Sequence, residues 1–263
     1  MFRAYGVTER GRIRPTNEDC FAISSQLQLC VVADGMGGHN AGEVAARLAV
    51  DAMVDYVAEA EEAGSQRGYD GGVSRWPLGF DPSLSEGGNL LRTAVYLANL
   101  RILETAVLSR EYAGMGTTIV AGLVRDGRLS VAHVGDSRLY LFADGQLRQL
   151  TADDSWAATA IAGGGQPDGA LLQHHPMRHA LTNVVGARAR TEVHVTERVL
   201  RGGELLVLTT DGVHEHVDER RIQELMTGSG SVAEIPGALV RSAFARGSRD
   251  NCTAVVGEYT LHS

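Results

Sequence analysis

Apolar and polar positions change period several times along the 263-residue chain. Asn40, with Glu43 three residues on, resembles a capping box, and small or apolar pairs follow at 44/45, 48/49, 52/53 and 56/57. That spacing predicts one amphipathic helix. A second run, Leu90 to Leu108, is apolar around much of its circumference and predicts a helix covered on two sides. Between them, residues 61–88 hold seven glycines and no period, which reads as a variable surface insertion. Thr117 to Val124, Arg128 to Val134, Arg138 to Phe142 and Gln146 to Leu150 are β-rich runs joined by short turns. Asp126-Gly127 and Asp144-Gly145 supply the positive φ that two-residue hairpins need, so the block predicts an antiparallel meander. Residues 151–180 have little apolar period and read as a flap, followed by strands near 191–197 and 204–210. Helical patterns at 218–226 and 232–246 and a strand from Cys252 to Tyr259 complete the chain. With no linker composition anywhere, residues 1–263 read as one α+β domain.

Three apolar strands run into an acid at the same point: Leu29 to Ala33 into Asp34-Gly35, Val131 to Gly135 into Asp136, and Leu205 to Thr210 into Asp211-Gly212. Asp250 immediately precedes the last strand. A lone Asp-Gly is ordinarily a turn, as at positions 126 and 144. Asp34, Asp136 and Asp211 differ because each ends a strand apolar enough to be buried on both faces, which sets the carboxylate at the mouth of the core. Carboxylates gathered in a poorly solvated pocket raise one another's pKa unless a cation neutralises them, and hard oxygen donors select Mg²⁺, Mn²⁺ or Ca²⁺. Paired ions of this kind acidify and orient a bridging water and stabilise in-line displacement at phosphorus. The segment from Gly11 to Asp19 adds Arg12 and Arg14, whose guanidinium forks match a phosphate.

Composition narrows the alternatives. Lys and Arg number 24 against 32 Asp and Glu, a net charge of −8 that argues against a nucleic-acid partner. Cys20, Cys30 and Cys252 have no metal or disulfide spacing, and Met1 to Tyr5 lack the apolar run of a signal peptide. No apolar stretch approaches the length of a bilayer crossing. A reduced, cytoplasmic chain with no membrane insertion is the expectation.

Six motifs then stand in order: RPTNED (14–19), VADGMGGHNAGE (32–43), GMGTT (114–118), VGDSR (134–138), TDGVHE (210–215) and SRDNCT (248–253). Together, from about Tyr5 to Tyr259, they resemble the metal-dependent type 2C protein serine/threonine phosphatases, particularly the compact bacterial members. The resemblance implies a four-layer sandwich of two central antiparallel β-sheets flanked by helices, with two Mn²⁺ or Mg²⁺ ions between the sheets. Carried over by position, Asp34 bridges both ions, the Gly35 carbonyl coordinates the second, and Asp211 and Asp250 complete the first. Glu18 then holds metal-bound water, Asp19 supports the centre, Arg14 rather than Arg12 clamps the phosphoryl group, because Arg12 is the wrong step from the acidic pair, and Asp136 builds a third, weaker site with Asp211. The implied reaction is hydrolysis of phosphoserine and phosphothreonine in phosphorylated proteins by a metal-activated hydroxide, reversing the work of a cognate Ser/Thr kinase.

Departures from the family pattern matter too. Met36 stands where animal relatives place a His proposed as general acid, so the leaving group's proton comes from elsewhere, with His39 as one candidate. Glu215 follows the third acid as a longer side chain, and Asp153-Asp154-Ser155 replaces the common Asp-His-Ser. Two rival readings have their own expectations. A serine esterase built from Ser137, Asp211 and His214 would be metal-independent; a catalytically silent pseudophosphatase would bind partners through an inherited scaffold.

Overall fold

The computed structural model describes residues 2–38, 41–65, 76–162 and 175–261. Asn40 and His39, and with them the capping box and the proposed proton donor, lie outside the described residues, as do 66–75 of the insertion and 163–174 of the flap.

Eleven strands form among the described residues: β1 Phe2–Glu9, β2 Asp19–Ser24, β3 Leu29–Met36, β4 Gly116–Thr117, β5 Ile119–Arg125, β6 Arg128–Val134, β7 Arg138–Ala143, β8 Gln146–Gln149, β9 His194–Val199, β10 Glu204–Thr209 and β11 Cys252–Tyr259. The helices are α1 Ala41–Ser65, α2 Glu86–Leu108, α3 Trp156–Ala162, α4 Asp211–His214, α5 Glu219–Gly228 and α6 Ile235–Ala245. One sheet runs β1-β11-β10-β7-β8 and the other β2-β3-β5-β6-β9, with β4 joined to β3. All the strand pairs are antiparallel.

The two-residue alternation along β3 explains the layering. Leu29, Val31 and Ala33 face α1 and α2, while Cys30 and Val32 face the other sheet. On β10, Leu206 and Leu208 meet them in the space between sheets, and Leu205 and Val207 turn outward onto α5 and α6. A strand covered on both faces has to be apolar at every position, which is why these runs lack polar residues. The result is helix, sheet, sheet, helix, as the resemblance implies. Both Asp-Gly hairpins form as the sequence predicts. Asp126 and Gly127 have φ of 49° and 73°, and Asp144 and Gly145 have 52° and 74°.

Some elements extend beyond their predicted limits, and β1, β2, α3 within the expected flap and the short α4 were not predicted. Helix α1 continues to Ser65, and α2 begins at Glu86, capped by the Ser85 hydroxyl accepting from the Gly88 N–H at 3.3 Å. Strands β1 and β2, one on the edge of each sheet, carry mixed burial, and the sequence pattern alone does not reveal them. The ends of β3 and β10 and the start of β11 lie together, which brings Asp34, Asp211 and Asp250 to one cavity.

Candidate active site

Strand pairing makes the first unfavourable juxtaposition. Asp19 on β2 stands directly opposite Asp34 on β3, and like charges so placed weaken a sheet. Five hydrogen bonds hold the arrangement. The Asp34 N–H donates to the Thr118 hydroxyl at 3.0 Å, while its carbonyl accepts from the Thr117 hydroxyl at 2.9 Å and the Thr118 N–H at 2.8 Å. Asp19 in turn accepts from Thr253 at 2.6 Å and Thr210 at 2.9 Å, hydroxyls that belong to the other sheet. Thr117 and Thr118 of the GMGTT motif, and Thr210 and Thr253, therefore position acids; none of the four was singled out from sequence.

Asn251 performs a similar task for the N-terminal loop. Its side-chain N–H groups donate to the carbonyls of Arg10 at 3.0 Å and Thr16 at 2.9 Å, and its oxygen accepts from the Glu18 N–H at 2.9 Å. The RPTNED segment is thus fastened beside Asp250. Asp34, Asp136, Asp211, Asp250, Glu18 and Arg14 all line one cavity of about 450 Å³. Asp19 lies just behind the wall, buried, and the Gly35 backbone forms part of the wall itself.

Electrostatics in the cavity are unbalanced. Desolvation first, then Asp19, Asp211 and Asp136, raise Asp34 well above the usual carboxylate range. Desolvation pushes Asp19 to about 7, although the Thr253 and Thr210 hydroxyls oppose the rise. Burial and then Asp211 raise Asp136 to about 7. Asp211 is raised by burial and the charge of Asp250, tempered by the approach of the Asp34 carboxyl. Glu18 is raised by desolvation, with the Arg14 charge and a hydrogen bond from the Gly42 N–H opposing it. Arg14 is the cation facing this group, bound to Asp250 at 2.5 Å. One guanidinium does not balance six carboxylates.

As the side chains stand, no three His, Cys, Asp or Glu groups among the described residues close around a single ion position. The acids ring the cavity instead, and two of their oxygens, Asp211 Oδ1 and Asp19 Oδ1 behind the wall, are buried with no hydrogen-bond partner. An all-oxygen donor set with orphaned carboxylate oxygens and excess negative charge fits hard divalent cations.

Close backbone approach is the second condition. A Cβ on Gly35 would lie 2.0 Å from the Gly42 carbonyl oxygen, and one on Gly42 would lie 2.6 Å from Glu18 Oε1. Only paired glycines let the start of α1 settle against the end of β3. Gly35→Ala is expected to destabilise the protein by about 1–3 kcal/mol through overpacking, with loss of activity as Asp34 moves. Urea denaturation would show a lower midpoint at unchanged slope, and an unchanged midpoint would count against the close approach.

The flap contributes a residue that sequence did not single out. His179 lines the cavity and contacts Glu215 at 2.5 Å. The Asp153-Asp154 departure also acquires a role. Arg138 grips Asp153 through Nε at 2.9 Å and Nη2 at 2.6 Å. Asp154 accepts from the Gly135 N–H at 2.9 Å, from Asn183 at 2.8 Å and contacts His194 at 3.0 Å, so both acids tie the flap's first residues to the turn that carries Asp136. The esterase grouping does not assemble. Ser137 shares its hydrogen bond with Thr118 at 2.8 Å, and His214 is engaged by Thr209 at 2.9 Å.

A two-sheet sandwich with convergent acids between its layers defines a metallohydrolase type of site. The model of the family described as Protein phosphatase 2C matches residues 15–238, and the chain belongs to that family. It is 30 % identical to the serine/threonine phosphatase stp of Listeria welshimeri over 263 residues, spanning 97 % of this chain and 94 % of that protein. The crystal structure of the Mycobacterium tuberculosis serine/threonine phosphatase PstP/Ppp superposes with a TM-score of 0.82 at 30 % identity, covering 99 % of each chain. The PstP catalytic domain in complex with two manganese ions gives a TM-score of 0.79, again at 30 % identity and 99 % of each chain.

Proposed function

We propose that this chain is a Mn²⁺- or Mg²⁺-dependent protein phosphatase acting on phosphoserine and phosphothreonine. The convergence of Asp34, Asp19, Asp211 and Asp136, each raised by burial and then by neighbouring acids, carries the reading. Asp34, Asp211, Asp250 and the Gly35 carbonyl would hold two ions, with Glu18 and Asp19 in support and Asp136 at a third position. Divalent ions bound there supply the Lewis acidity that polarises a phosphoryl oxygen and acidifies a water.

The remaining work falls to the chain's own groups. Arg14, half exposed at the cavity edge, has N–H groups beyond the one held by Asp250 and orients a phosphoryl group through them. Burial between the sheets desolvates Asp34 and Asp211, and Met36 excludes a proton donor from the position that follows Gly35. His179 is the imidazole on the wall among the described lining residues. No helix among the described residues is long and apolar enough to cross a membrane. Residues 1–263 as one catalytic domain, a cytoplasmic setting and a cognate Ser/Thr kinase as opposing partner belong to the same proposal, supported by the bacterial relatives.

The test is hydrolysis of a phosphothreonine peptide and of p-nitrophenyl phosphate with Mn²⁺, without it, and with a chelator. Turnover should need the metal. Arg14→Ala should lower kcat/KM about 10- to 100-fold, the worth of a charge-assisted hydrogen bond, whereas Ser137→Ala should keep hydrolysis metal-dependent. Chelator-resistant hydrolysis lost with Ser137 would instead establish the esterase, and a folded, metal-loaded protein without turnover would establish the silent scaffold.

A further inference from the structure

A second cavity, about 1000 Å³, lies outside the acid-lined one, between β1 with the loop that follows it and helix α6. Its floor is apolar, made by Val7, Val240 and Phe244. Its rim carries Arg12, Arg241 and Arg249, all exposed, and none of them has an ion-pair or hydrogen-bond partner among the described residues. Glu9 is the acid on the lining. Three unneutralised guanidiniums around one groove are notable on a chain whose net charge is −8, because that imbalance supplies acids in plenty elsewhere on the surface. Other exposed arginines, such as Arg220 and Arg221, are paired with Glu224.

The groove shares a wall with the phosphate end of the active site. Arg12 lies two residues before Arg14, and Arg249 immediately precedes Asp250. Gly11 joins the two, since a Cβ there would stand 2.9 Å from the Asp250 carbonyl oxygen and 3.1 Å from the Phe244 ring. An extended polypeptide advances at most ~3.5 Å per residue, so a few residues suffice to connect a phosphorylated side chain beside Arg14 with neighbours in the groove.

We propose that this groove docks an acidic segment of the substrate polypeptide, placing Asp or Glu side chains against Arg12, Arg241 and Arg249 and an apolar side chain over Val240 and Phe244. The proposal rests on the phosphatase reading. It makes the groove a specificity site, distinct from the phosphate clamp, whose contribution appears in KM and weakens with salt as exposed charge pairs do.

Two phosphothreonine peptides, alike except that Asp and Glu flank the phosphorylated residue in one and Ser and Gln in the other, test this with the Mn²⁺-loaded protein. The acidic peptide should have the lower KM, on the order of fivefold at low salt, which corresponds to about 1 kcal/mol. The difference should shrink in about 0.5 M NaCl, where the screening length is roughly 4 Å. In Arg12→Glu/Arg241→Glu the preference should vanish or reverse, with kcat and p-nitrophenyl phosphate turnover unchanged; Arg12→Lys/Arg241→Lys should restore most of it. Equal KM values in the wild type, or a preference that survives the charge reversal, would overturn the docking site while leaving the phosphatase reading intact. If the wild type hydrolyses neither peptide, that reading fails and the docking proposal falls with it.

Discussion

Asp211→Asn should lower kcat/KM by roughly a thousandfold with saturating Mn²⁺, while making the chelated protein more heat-stable than the wild type. The first effect follows from losing an anionic ligand, because stabilisation of phosphoryl charge by bound ions is worth several kcal/mol. The second follows from the repulsion already present without them. Asp211 faces Asp250 and Asp34 and leaves Oδ1 without a partner. Asn keeps the shape, removes one negative charge, and brings N–H donors that can serve the Asp34 carboxylate. A gain of about 1 kcal/mol would raise Tm by roughly 2–4 °C in a chain of this size. Circular dichroism melts in EDTA and kinetics in Mn²⁺ measure the two arms separately. A variant that loses activity and also melts lower in EDTA would mean that Asp211 supports the fold rather than the ion site. Retained activity would remove Asp211 from the proposed ligand set.

Sequence was most legible where one physical demand acted alone. The apolar runs ending at Asp34, Asp136 and Asp211 had to be covered on both faces, and they are. The two Asp-Gly turns needed positive φ and took it. Legibility failed where demands competed. Gly87 and Gly88 look like helix breakers, yet they lie in the first turn of α2, where Cβ atoms would meet Ser130 Oγ at 2.9 Å and Glu197 Oε1 at 2.8 Å. Packing against the sheet outweighs the helix penalty of about 1 kcal/mol per glycine. Strand β1 pairs with β11 along its full length, but its exposed edge position breaks the alternation that would have announced it.

The candidate site shows the same division. Acids at strand ends could be chosen from local pattern, whereas Arg14 is separated from Arg12 only by the family resemblance. Thr118, Asn251 and His179 could not, because their importance comes from partners 84, 233 and 36 residues away. A hydroxyl that fixes a backbone, or an amide that staples a loop, leaves no period or charge signature. The ordered motifs contain Thr118 and Asn251, but a motif string does not say which letter touches metal and which holds the ligand in place.

The same unbalanced acids make stability depend on pH in opposite directions with and without metal. Asp19 and Asp136 each rise from the ordinary carboxylate range to about 7, so between roughly pH 4 and 7 the folded state binds more protons than the unfolded chain. Stability of the chelated protein must then fall as pH rises through that window. Each such group contributes about 1.4 kcal/mol per pH unit, so the two together predict a loss of roughly 2–4 kcal/mol between pH 5.5 and 7, levelling off above. Divalent ions require the deprotonated carboxylates, and their stabilisation therefore grows with pH over the same interval. Calorimetric melts at pH 5.5 and 8 should give the higher Tm at pH 5.5 in EDTA and the higher Tm at pH 8 in Mn²⁺. Asp136→Asn should remove about half of the EDTA slope, since Asp19 still titrates. A chelated wild type whose Tm is flat or rises with pH would show that these carboxyls do not share the crowded, desolvated environment that the ion site requires.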